Sequence, residues 1–269
     1  MSQVDLEAVF QRLPLLQEFA PGDFKITPLA GYTNHNFRLQ NHRDDWVLRI
    51  PKPETDDLID RQAEAHNQSL ACSLGFAPVV SWRDGSGITL TPTLGSSRAL
   101  RAIDFDDDNM LQTILTPVQR LHRSGLTFLG RVDLKELLSR HFAMLKPTEQ
   151  EKLKPRLLQA ERQLSLLETR DSPYVASHND LVLENLLLDD ANLWLIDWEY
   201  SAMASPYWDL ATICNAANLD LNRSRRLLYR YSDGGEPMQE SILFDYRGLL
   251  KLLTDCWMAA LVESRGPGC

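Results

Sequence analysis

The chain has 269 residues, 43% of them hydrophobic and 24% charged, enough for one large core or two modest ones. A formal net charge of −9 argues against a general nucleic-acid binder, which needs clustered Lys and Arg, and suits a cationic small molecule drawn to an acidic cleft. Cys72, Cys214, Cys256 and Cys269 form no CxxC pair, the start has no signal-peptide pattern, and no apolar run nears the roughly 18 residues of a membrane span. A soluble cytoplasmic protein with no membrane and no nucleic-acid partner is expected.

The opening "MSQVDLEAVFQRLPLLQEF" has apolar positions at helical intervals and is expected to be an amphipathic helix. "FKITPLA", "HNFRLQ" and "DWVLRI" read as β-strands, with "NHRDD" as the turn between the last two. A helix is predicted from Thr55 to about Leu74, opening on acids and stopping at Gly75. "APVVSW" and "GITLTPTL" then predict a strand pair around "RDGSG". From residue 109 the pattern is helical to about 262, interrupted once by residues 177–200. The expected fold class is α+β, with a small sheet-rich lobe over 1–93, a larger helical lobe over 94–269, and a ligand in the cleft between them.

The interruption, "SHNDLVLENLLLDDANLWLIDWEY", contains Asp180 followed five positions later by Asn185, the spacing of a kinase catalytic loop. Asp180 would orient an incoming hydroxyl, and Asn185 would offer its amide oxygen to magnesium. "LWLIDWEY" is an apolar strand delivering Asp197 as a second metal ligand. Oxygen-only ligands favour Mg²⁺ over zinc. The bland reading is a wet loop before a strand, but the phosphoryl-transfer template asks for this set in this order. His178 reads as packing or bracing the loop.

In the small lobe, "LAGYTNHNFRL" places Gly31 and small polar residues between strands, so that backbone N–H groups at Thr33 to Phe37 could face phosphates, with Thr33, Asn34, His35 and Asn36 the candidate contacts. Taken alone, one glycine in a hairpin is more often a plain turn. Arg49 sits mid-strand among apolar neighbours and needs a partner, which Glu64 on the next helix supplies; an outward-facing edge arginine is the alternative. Arg61 and Asp60 read as solvated charges. Trp194, flanked by leucines, reads as core. A cationic headgroup would be held by aromatic faces, with Tyr200, Tyr207, Trp208 and Trp257 available and Glu199 as countercharge.

Together "GYTNHNFRL", "WVLRIP", "LIDRQAEAHN", "LGFAPVV", "SHNDLVLENLLLDD", "LWLIDWEY" and "PYWDLA" resemble the choline kinase and aminoglycoside phosphotransferase superfamily, nearest its bacterial choline kinase-like and thiamine kinase branches. The resemblance implies a two-lobed protein-kinase-like fold that transfers the γ-phosphate of ATP, with Mg²⁺, to a small-molecule alcohol. It implies catalysis by Asp180, metal ligation by Asn185 and Asp197, nucleotide contacts from Arg49 and its partner Glu64, and a hinge at 91–94 that brings Thr91 and Thr93 beside adenine. Glu199 and Tyr200 follow the metal aspartate as in choline kinases, and Asp209 matches the aspartate that braces the catalytic loop. Ala260 stands where choline kinases carry a second tryptophan, which leaves room for a larger acceptor such as thiamine. The alternatives are an aminoglycoside or sugar phosphotransferase, or a nucleotide-binding pseudokinase scaffold.

Overall fold

The computed structural model describes residues 4–53, 59–167, 173–190, 192–233 and 238–264. Helix α1 (Leu6–Arg12) starts where the Asp5 carboxylate accepts from Ala8 N at 3.1 Å, and it buries Val9 and Phe10. It is shorter than expected because Leu13 precedes Pro14 and is driven to extended backbone. Strands β1 (Lys25–Leu29), β2 (Asn34–Gln40), β3 (Asp45–Pro51), β4 (Trp82–Arg83) and β5 (Thr89–Pro92) form one antiparallel sheet in the order β1-β2-β3-β5-β4. Leu48 pairs with Leu90 across β3 and β5, and with Leu39 and Ile88 these residues meet α1 in the core of the small lobe. Alternation along the strands leaves Arg49 on the opposite face from Leu48.

Helix α2 (Arg61–Cys72) begins at Asp60, whose carboxylate accepts from Gln62 N and Ala63 N at 3.0 Å each. The predicted start at Thr55 falls on residues 54–58, outside those described. The expected strand "APVVSW" contributes only its last residue to the sheet. Phe76 and Ala77 instead enter the core of the helical lobe, and the Phe76 carbonyl accepts from Leu195 N at 2.8 Å. Apolar attraction to the larger core overrides local β propensity there.

From β5 the chain crosses residues 93–97 to β6 (Arg98–Ala99), which pairs with β8 (Leu186–Leu188) and through it with β9 (Leu193–Leu195). A second small ribbon joins β7 (Val175–Ser177) to β10 (Ala202–Ala204). Around them stand α3 (Asp108–His122), α4 (Leu134–Ala143), α5 (Pro147–Leu167), α6 (Pro206–Ala216), α7 (Leu221–Ser232) and α8 (Glu240–Ser264). The helical spacing of Leu111, Ile114, Leu115, Val118 and Leu121 turns one face of α3 to Leu210, Ile213, Leu249 and Leu252 in a single core. Trp198 and Trp208 are buried in that core; Trp194, expected there, is half-buried and donates its N–H to Asp189 at 2.7 Å. Among the described residues no helix is long and apolar enough to cross a membrane.

Candidate active site

The loop after β7 is shaped by hydrogen bonds that converge on Asp209, which lies in the first turn of α6 and is fully buried. Its carboxylate accepts from His178 N at 3.0 Å, from Asn179 N at 2.7 Å and from His122 Nε2 at 2.9 Å. Against the cost of burial, these partners hold Asp209 below the usual carboxylate range. Trp208 Nε1 donates to the Asn179 carbonyl at 2.9 Å, and Asn179 Nδ2 donates to the Tyr200 carbonyl at 3.0 Å. Asn179 and Asp197 both have left-handed backbone, φ 66° and 64°, a conformation that Asn and Asp tolerate better than most residues. Burial pushes His178 down to about 4, so its ring is neutral. Its Nε2 must donate to the Ile196 carbonyl at 2.9 Å, while Nδ1 accepts from Asp180 N at 3.3 Å. His178 is a brace, as expected.

This frame brings Asp180 and Asn185 together. Asn185 Nδ2 donates to the Asp180 carbonyl and to Asp180 Oδ2, both at 2.9 Å, and the Asn185 carbonyl accepts from Ile196 N at 3.0 Å, next to Asp197. Asp197 Oδ1 accepts from Arg49 Nη1 at 3.0 Å across the cleft. Burial, then repulsion from Asp197 and Glu199, pushes the Asp180 carboxyl up to about 8, opposed by the Asn185 amide. Burial and Glu199 raise Asp197, opposed by Arg49.

Arg49 also contacts Glu64, which is sealed from solvent and additionally paired with Arg61 at 3.0 Å and Arg83 at 3.5 Å. Arg61 is therefore no solvated charge: it lies between Glu64 and Glu199, 3.6 Å from the latter. Glu199 is buried and grips the small lobe, accepting from Thr33 Oγ1 at 2.6 Å and Asn34 Nδ2 at 3.0 Å. Asn36 Nδ2 ties the same loop to the Ala30 carbonyl at 2.9 Å, and His35 pairs in β2 opposite Ile50. Thr91 lies on β5 opposite Val47, while Thr93 fixes the start of the crossing by hydrogen bonding Asp45 Oδ1 at 2.8 Å. Sequence reasoning missed Arg83 and Lys52, whose ammonium holds the Gly31 and Tyr32 carbonyls at 3.0 and 2.7 Å.

The five expected acceptor residues separate. Tyr200 is partly exposed and lies in the field of Glu199, Asp180 and Asp197, which adds to burial in raising its phenol. Trp257 on α8 is half-buried and meets Tyr32 edge-on, ring centres 5.7 Å apart. Tyr207 and Trp208 do not join them. Tyr207 is buried, stacked on Tyr246, and accepts from Gln239 N at 2.6 Å, while Trp208 is buried behind the loop that follows β7. Their position in the first turn of α6 turns both toward the helical core, so their exposed-cage role gives way to packing.

Residues 25–250 match the sequence model of the phosphotransferase enzyme family. The chain belongs to that family. Protein LicA of Haemophilus influenzae is 32% identical over 218 residues, covering 77% of this chain and 62% of the relative's length. Two solved structures superpose on nearly all of it. The choline kinase LicA of Streptococcus pneumoniae has a TM-score of 0.86 at 21% identity, covering 99% of this chain and 94% of its own. A choline/ethanolamine kinase family protein of Mesorhizobium loti has a TM-score of 0.81 at 24% identity, covering 98% and 88%. The α+β, two-lobed protein-kinase-like fold is thereby established.

Phosphotransferase chemistry on ATP calls for a divalent cation that gathers phosphate oxygens. The donor set suits magnesium: Asn185 Oδ1 and the Asp197 carboxylate are hard oxygens, and the nearby carboxyls are raised by burial and then by repulsion from one another, a condition that a cation relieves. Among the described residues no three His, Cys, Asp or Glu side chains form a protein-only metal cage. Magnesium commonly takes only one or two protein carboxylates beside phosphate and water.

Proposed function

We propose that this chain is an ATP-dependent kinase that phosphorylates the hydroxyl of a small cationic alcohol of the choline or ethanolamine type. One observation carries the reading: the Asp180–Asn185 pair of the helical lobe lies across the cleft from the Arg49–Glu64 pair of the small lobe, joined to it through Asp197. The cation preference is supported by the carboxylates Asp180, Asp197 and Glu199 around Tyr200, and by the superposition on a choline kinase and on a choline/ethanolamine kinase family protein.

In this reading the nucleotide lies under the small-lobe sheet beside residues 91–93, with Arg49 and the Thr33–Asn36 segment at the start of β2 toward its phosphates. Asn185 and Asp197 would hold magnesium, which supplies charge neutralisation at the phosphate oxygens. Asp180 orients the acceptor hydroxyl and accepts its proton as the oxygen bonds to the γ-phosphorus and the bond to ADP breaks. A cationic headgroup beside Asp180 favours its ionised form, which counters the upward push of burial. The products are a phosphate monoester and ADP.

A turnover panel with Mg·ATP against choline, ethanolamine, amino sugars and aminoglycosides tests the reading in wild type and Asp180→Asn. The expected result is turnover of an amino alcohol, falling by about 10²–10⁴-fold in Asp180→Asn with an unchanged circular-dichroism spectrum. Near wild-type turnover in the variant would remove Asp180 from its role. Aminoglycoside turnover alone would overturn the acceptor class, and nucleotide binding with no turnover would leave a scaffold.

A further inference from the structure

Two of the aromatic residues available for a cation are buried elsewhere, so the acceptor pocket needs another wall. Tyr32 is 66% exposed, yet the loop that carries it is fixed. Lys52 Nζ holds the Gly31 and Tyr32 carbonyls, Lys52 N donates to the Thr33 carbonyl at 3.0 Å, and Thr33 and Asn34 grip Glu199. These bonds fix the backbone on both sides of Tyr32, and its exposed ring packs edge-on against Trp257. Tyr32 and Trp257 meet at 76°, so the two ring planes make a corner. Thr33, the residue after Tyr32, is bonded to Glu199, so the backbone that carries the Tyr32 ring runs beside that carboxylate. Aromatic faces with carboxylates behind them are the chemistry of a quaternary or primary ammonium site.

We propose that Tyr32 is a specificity-determining residue, the small-lobe wall of the acceptor pocket facing Trp257, and that it selects a cationic headgroup. The inference rests on the kinase reading above and adds a residue from the nucleotide-side loop to the acceptor site.

The test compares choline with its carbon isostere, in which a tert-butyl group replaces trimethylammonium, in wild type, Tyr32→Leu and Tyr32→Phe. In Tyr32→Leu the ratio of kcat/KM for the cationic over the neutral alcohol should fall about three- to tenfold, the scale of one cation–π contact. The KM for ATP should move less than twofold, and Tyr32→Phe should rescue the ratio because it keeps the ring face. Equal loss on both alcohols, or an unchanged ratio, overturns the assignment of Tyr32 while leaving the kinase reading intact. A wild-type protein that turns over no cationic alcohol overturns the functional reading and this assignment with it.

Discussion

A β-carbon on Gly31 would stand 2.5 Å from the Asn34 carbonyl oxygen and 2.5 Å from Asn36 Nδ2. One of those neighbours is backbone in β2, so the loop must move if a methyl is added, and the Asn36 bond to the Ala30 carbonyl goes with it. Gly31→Ala should raise the KM for ATP about tenfold and cost roughly 1–3 kcal/mol of stability. Steady-state kinetics with thermal melting checks this; an unchanged KM for ATP at an unchanged melting temperature would show that the loop tolerates the methyl. The glycine was legible in the sequence as a turn between strands. Its tight contact with Asn34 and Asn36 was not, because a turn can be read without knowing which side chains fold back over it. Arg61 was misread for a related reason. Its partner Glu199 comes from the far lobe, and Glu199 meets Thr33 across 166 positions of chain.

Helix α2 shows where hydrophobic periodicity stops informing. Its buried face carries Glu64, Asn67 and Gln68 between Ala63 and Ala71, and each polar group is met by another element. Glu64 meets three arginines, Asn67 bonds the Leu129 and Ser201 carbonyls at 3.1 and 2.9 Å, and Gln68 accepts from Arg83. Buried polar groups satisfied in this way rigidify a seam, and no apolar pattern announces them. The loop after β7 was the more readable element because the five-residue spacing of Asp180 and Asn185 is local. Its brace yields a pH prediction. Unfolded histidine takes up a proton below about 6.5, whereas folded His178 does so only near 4. Acidification between those values favours the unfolded chain, so the His178 contribution is full above 6.5 and is lost as pH falls, by about 3 kcal/mol at pH 4. The raised carboxyls Asp180 and Asp197 have the opposite sign, and Asp209 the same sign, but all three are present in His178→Gln. The difference between variant and wild type in urea-unfolding free energy from pH 7 to 4.5 therefore isolates the imidazole. Wild type should lose about 2–3 kcal/mol more than His178→Gln; parallel curves would mean that His178 is not held neutral.

The molecule has two apolar cores of unequal size joined by a polar seam. Val9, Phe10, Leu13, Leu16 and their sheet partners close the small core, while α3, α6 and α8 supply much of the large one. Part of the small lobe's own chain, Ala71, Phe76 and Ala77, belongs to the large core. Between the cores the ties are ionic or hydrogen-bonded: Arg49 to Asp197, Arg61 to Glu199, and Thr33 and Asn34 to Glu199. Composition announced enough apolar residues for two cores, but net charge hid this seam, since its three arginines balance Glu64, Asp197 and Glu199. Glu199 touches three of the small-lobe groups, so its loss removes more than one bond. Glu199→Ala strands Arg61 with Glu64 alone and leaves Thr33 and Asn34 without that acceptor, a change of the kind that costs about 3–5 kcal/mol when one partner of a buried pair is removed. The cost should fall on the small lobe, because the large core does not depend on the seam. Amide exchange by mass spectrometry should show β1–β3 exchanging at least about tenfold faster in Glu199→Ala, with α6 and α8 unchanged. Acceleration spread evenly over both lobes would mean that they open as one cooperative unit and that Glu199 is not the tie holding the Thr33–Asn34 segment against the helical lobe.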